Sequence, residues 1–201
     1  MEREQLLKRS ELDIDSVLLR VVKIVSDVRR EGDRALAHYT ERFDGVKLSS
    51  DDLEVSEGEY VLALQQLKPE IKESLESLSK SIEKFHKKQL PKEWDMEIAL
   101  GVRAGQLVFP LESVGIYVPG GLAKYPSTVL MAAIPARVAG VKHIIVCTPP
   151  NQDGKVSPAV LVAAKMAGVE KVFKVGGAQA IAAMAYGTET IPKVDKIVGP
   201  G

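Results

Sequence analysis

Apolar residues at Val17, Leu18, Val21, Val22, Val25 and Val28 recur at helical spacing and stop at Gly32, which predicts one amphipathic helix. Asp33 stands where it can cap a second, carrying Leu36, Tyr39 and Phe43 as far as Gly45, so residues 12–45 read as a helix pair. Leu53-Glu-Val55 has the look of a short strand. Ser56-Glu-Gly-Glu59 is a capping-box pattern that opens a third helix, and Pro69 fits the first turn of a fourth. That fourth helix places Ile71, Leu75, Leu78, Ile82 and Phe85 on one face, and Pro91 should end it. From Trp94 the period shortens to two: Trp94, Met96, Ile98 and Leu100 alternate with polar residues, and Gly101 turns the chain into 102–109, an antiparallel hairpin.

After Ser113 short apolar runs alternate with Ala/Val-rich helical stretches. Val114–Val118 leads to a helix over 127–139, capped by Ser127 or Thr128 and kinked at Pro135. His143–Cys147 leads to 157–167, Lys171–Val175 to 178–186, and Lys196–Val198 to a closing glycine turn. Alternation at this spacing predicts an α/β fold, with a Rossmann-like parallel sheet in the second half behind a helix-rich region with an antiparallel hairpin. The change of period divides the chain in two. Residues 1–112 are expected to form part of a first domain completed downstream, and 113–201 a βαβ domain whose carboxyl-terminal part lies beyond this chain.

Basic and acidic residues both total 27, so overall charge favours neither nucleic acid nor a membrane. The first 112 residues carry an acidic excess and the rest a basic one. That asymmetry suits an anionic small ligand, although a buried α/β core is also poor in charge. The start, MEREQLLKRS, lacks the apolar core of a signal peptide, and no apolar run is long enough to span a bilayer. A single cysteine, Cys147, ends an apolar run and reads as a buried small residue in a reducing compartment. A soluble cytoplasmic protein is expected. His38 and His86 lie on charged helices without partners at metal-ligand spacing, and His143 sits in an apolar strand.

Three strands end in glycine turns: Pro119-Gly120-Gly121, Gly176-Gly177-Ala-Gln179 and Gly199-Pro-Gly201. Sharp strand-to-helix turns need glycine whether or not anything binds. Recurrence at successive strands, all at the carboxyl edge of one sheet, argues for a site where helix amides and dipoles meet phosphate. Neither Gly120-Gly121 nor Gly176-Gly177 fits G-x-G-x-x-G, Cys147-Thr148 stands where an acidic ribose partner is expected, and no P-loop exists. Lys124 and Lys174 lie near glycine turns but off P-loop spacing, which disfavours a phosphotransferase. Tyr117 can set a ring against a base or serve as core, and Gln179, in the first turn of an Ala-rich helix, requires a polar partner if buried.

The stretches SVGIYVPGGLAKYPSTVLMAAIPARVAG, KVGGAQAIAAMAYGTETIPKVDKIVGPG and RREGDRALAHYTERFDG resemble histidinol dehydrogenase, and the similarity runs over residues 12–201. The resemblance implies two NAD-dependent oxidations, from L-histidinol to L-histidine, in a cytoplasmic homodimeric zinc enzyme of histidine biosynthesis. It also implies NAD contacts at the tyrosine of the VPGG block and the glutamine of the GGAQA block, here Tyr117 and Gln179, beside Gly120, Gly121, Gly176 and Gly177. The family's zinc ligands and its proton-handling glutamate–histidine pair come later than these blocks. The resemblance therefore implies an amino-terminal fragment carrying part of the NAD site, with no catalytic or metal residue of its own and no activity alone. The alternative is a non-catalytic α/β module that binds a phosphate-containing ligand or only self-associates.

Overall fold

Strands β3 (Ser113–Tyr117), β4 (His143–Cys147), β5 (Lys171–Phe173) and β6 (Lys196–Val198) form one parallel sheet in the order β5-β4-β3-β6. This computed structural model describes residues 14–120 and 125–200. Strands run outward from β3 through β4 to β5, then return to lay β6 on the opposite side of β3, so the winding reverses between β3 and β6. The connecting helices are α5 (Pro126–Val138), α6 (Pro158–Ala167) and α7 (Gly177–Tyr186). Before the sheet come α1 (Ile14–Glu31), α2 (Asp33–Asp44), α3 (Glu57–Gln66) and α4 (Pro69–Lys87), then the hairpin β1 (Trp94–Ala99) and β2 (Val102–Gln106).

Both faces of the sheet are covered, which is why its strands are apolar throughout. The pleat sends Val114, Ile116, Ile144, Val146 and Val172 into a core with α3, α4, α5 and α6. It sends Ile145, Cys147 and Phe173 into a second core with α1, α2 and α7. Helices from both sides of residue 112 thus share each core. Phe173 is fully buried, and its truncation to alanine would cost about 3–5 kcal/mol.

The charge asymmetry has an internal use. Acidic residues of the early segments meet basic residues of the later elements: Glu54 with Lys171, Glu57 with Lys165, Glu59 with Lys174 and Glu83 with Arg137. Part of the basic excess is therefore spent on docking the early segments, and no Lys or Arg is among the described residues lining the cleft at the carboxyl ends of β3 and β4.

Several local expectations are revised. Asp33 does not cap α2; Gly32 occupies that position, and the buried Asp33 carboxylate accepts the hydroxyl of Thr190 while the Asp33 N–H donates to Glu189 at 2.8 Å. Ser127 and Thr128 do not cap α5, because Tyr125 precedes it without a side-chain cap and Pro126 opens the helix. The α5 helix runs from Pro126 to Val138, one residue earlier at each end than the pattern marks, with Pro135 inside it. Strand β5 stops at Phe173, since the Lys174 N–H turns away to the Leu53 carbonyl at 2.7 Å. On α4 only Leu75 is buried, with Ile82 packed beside it; Ile71, Leu78 and Phe85 face outward.

Other expectations match. Ser56 and Glu59 form the reciprocal capping box, Pro69 opens α4, and Glu54 bridges Phe173 in antiparallel fashion at the β5 edge. The hairpin pairs Trp94 with Gln106 through to Ala99 with Val102, and all of its strand residues are exposed. Among the described residues no helix is long and apolar enough to cross a membrane.

Candidate functional site

The carboxyl ends of β3 and β4 and the amino-terminal end of α7 frame a cleft of about 940 Å³. Open parallel sheets bind ligands at this edge, where winding reverses. Tyr117, Gly120, Gly177 and Gln179 line it together, with Thr148, Pro149 and Pro150 from the β4 turn and Phe43 and Asp44 from the end of α2. Gly121 lies outside the described residues, as do Lys124 and the terminal Gly201.

Gln179 is the least ordinary residue here. It is 1 % exposed, and neither its amide nitrogen nor its amide oxygen has a hydrogen-bond partner among the described residues. A buried amide left unpaired costs about 1–3 kcal/mol, a penalty that a polar ligand in the cleft removes.

Tyr117 is half-buried at the end of β3, and its phenolic oxygen accepts the Gly177 N–H at 3.1 Å. One free amide at the positive end of α7 is thereby occupied by a phenol that still has its own proton to donate.

Gly120 and Gly176 have a steric role. A Cβ on either would run into the ring of Pro149, which lies between the β3 turn and the β5 turn. Close approach of the turns to one proline accounts for glycine at these two positions without any ligand. Gly176 is buried behind that ring, whereas Gly120 is exposed at the cleft.

Asp44 escaped the sequence reading. Its Oδ2 is buried without a partner among the described residues, and burial pushes its carboxyl above the usual carboxylate range. The signal was its place as the last residue of α2, where a negative charge opposes the helix dipole. Cys147 is buried in the second core, and burial pushes its thiol far up, so it is no nucleophile. His143 is exposed at the start of β4, with Nδ1 2.8 Å from Glu170. Among the described residues no three His, Cys, Asp or Glu side chains gather as a metal-binding group.

A reversing parallel sheet, helices on both faces and a cleft at its carboxyl edge define a Rossmann-like α/β protein. The chain belongs to the histidinol dehydrogenase family, whose profile matches residues 7–201. Curated histidinol dehydrogenases of Methanothermobacter thermautotrophicus and Methanosarcina barkeri are 56% and 55% identical over 98% and 100% of this chain. The crystal structure of histidinol dehydrogenase from Elizabethkingia anophelis matches 96% of the chain with a TM-score of 0.89 at 41% identity. The chain spans 46% of the length of each of those two curated relatives and 43% of that crystallised chain.

Proposed function

We propose that this chain supplies part of the NAD seat of a histidinol dehydrogenase that oxidises L-histidinol twice, to L-histidine. Tyr117, Gln179, Gly120, Gly121, Gly176 and Gly177 belong to that seat. The observation that carries the reading is the buried, unpaired amide of Gln179 beside the cleft. A carboxamide recognises a polar ligand group by donating and accepting at once, and it repays its desolvation only when such a group is present. The Tyr117 phenol holds the first turn of α7 in place and has its proton free for the ligand. Bound NAD supplies the hydride acceptor for an alcohol and then an aldehyde carbon.

The described residues do not fit the zinc this family is expected to carry, and no step through it is derived. In this reading zinc ligands and proton-transfer groups come from polypeptide outside these 201 residues, the working enzyme is a cytoplasmic homodimer, and this chain alone does not turn over histidinol. Calorimetric titration of the chain with NAD tests the seat. Saturable binding that Gln179→Ala abolishes is expected; no heat from the unaltered chain rejects it. Zinc-dependent NADH production from histidinol by the chain alone would reject its inactivity.

One observation favours a self-associating module instead. The β1–β2 hairpin exposes Trp94, Met96, Ile98 and Leu100 to solvent. Concentration-dependent sedimentation without NAD binding is the result that selects this alternative.

A further inference from the structure

We propose that Asp44 receives the 2′- and 3′-hydroxyls of the dinucleotide's adenosine ribose, and thereby selects NAD over its 2′-phosphorylated form. This rests on the NAD seat and adds its specificity determinant. Doubly wound dinucleotide folds usually place an acidic residue at the end of the second strand for this purpose. Here that strand is β4, which ends in buried Cys147 followed by Thr148, neither of them acidic.

Asp44 brings a carboxylate to the same cleft from another element, the last residue of α2. Its neighbourhood lies against the turn after β4, the strand end at which such folds hold the adenosine ribose. The side chains of Val46 and Leu48 close over Gly154, in the turn that follows β4. Two features make Asp44 poorly suited to the chain alone: its Oδ2 is buried without a donor among the described residues, and it stands at the negative end of a helix dipole. Burial raises its carboxyl pKa, with no cation among the described residues to offset it. A vicinal diol supplies two donors without charge and repays that desolvation. A 2′-phosphate brings a second negative charge to the same spot and is rejected. Asp153 also lines the cleft, but it is exposed and already accepts the Lys155 N–H at 3.2 Å.

The test measures affinities of the full chain for NAD, NADP and 2′-deoxy-NAD. The unaltered chain is expected to bind NAD at least about tenfold more tightly than either analogue, and Asp44→Asn to bring NAD and NADP within about threefold of each other. Asp153→Asn should leave the ratio unchanged. Equal binding of NAD and 2′-deoxy-NAD by the unaltered chain overturns the proposal without need of a variant. So does an unchanged NAD/NADP ratio in Asp44→Asn while Gln179→Ala still abolishes NAD binding, a result that spares the seat itself. Absence of NAD binding in the unaltered chain overturns both.

Discussion

The phenolic oxygen of Tyr117 accepts the backbone N–H of Gly177 at 3.1 Å, tying the end of β3 to the first residue of α7. Two segments 60 residues apart in sequence thereby fix one lip of the cleft. Tyr117→Phe should keep the fold, free that amide and remove the phenolic proton from the ligand. NAD affinity is expected to fall about fivefold, roughly the worth of one neutral hydrogen bond. Calorimetry reads the affinity, and unchanged binding would show that the hydroxyl serves only α7.

Gln179 should show opposed effects on stability and binding. Gln179→Met fills similar volume and removes the unpaired buried amide, so the ligand-free chain should gain about 1 kcal/mol, a rise in melting temperature of about 2–4 °C. NAD binding should fall by at least about tenfold in the same protein. Thermal melts with and without NAD separate the two, and a lowered melting temperature without NAD would show that the amide is satisfied in the folded chain.

Lys174 and Glu59 join the β5 turn to α3. Lys174 is buried, its Nζ lies 3.2 Å from both carboxylate oxygens of Glu59, and Glu59 also accepts the Ser56 N–H at 2.9 Å. Glu59→Gln keeps a capping residue but leaves the buried ammonium without its hydrogen-bonded counter-charge, and should cost about 3 kcal/mol. Glu59→Ala should cost about 1 kcal/mol more through the lost cap. Urea denaturation of the two variants checks the order and the gap.

Asp27 offers a pH signature. Hydrogen bonds from Lys23 and then Tyr39, together with the charges of Lys23 and Arg30, hold its carboxyl down to about 2. A carboxyl lowered by folding stabilises the protein above the ordinary carboxylate range, and that contribution is lost as pH falls through about 2. Asp27→Asn should therefore lower the melting temperature at neutral pH, and the difference should close as pH approaches about 2. A difference independent of pH would assign the effect to packing.

The strand–helix alternation from Ser113 onward was legible because it depends on local pattern: β4 and β6 fall at the residues the apolar runs mark out. Helix starts were less legible. Asp33 has the chemistry of a cap, but Thr190 and Glu189, remote in sequence, claim its side chain and its N–H. The charge asymmetry was visible and its use was not, since pairs such as Glu59 with Lys174 join residues 115 apart. In the site, Tyr117 and Gln179 could be singled out by residue type within each turn. Asp44 could not, because only folding brings the end of α2 to the β4 turn. The glycines were legible as turn residues, while the reason for Gly120 and Gly176 lies in a proline from the turn after β4.

The ring of Pro149, held between Gly120 and Gly176, acts as a keystone for three loops. A methyl group on either glycine must push it outward, and a smaller residue in its place leaves a gap beside both neighbours. These three positions can therefore change over generations only as a coordinated set, with bulk surrendered at one in step with bulk acquired at another. The shape of the cleft's rim is inherited as a unit, whatever molecule it admits.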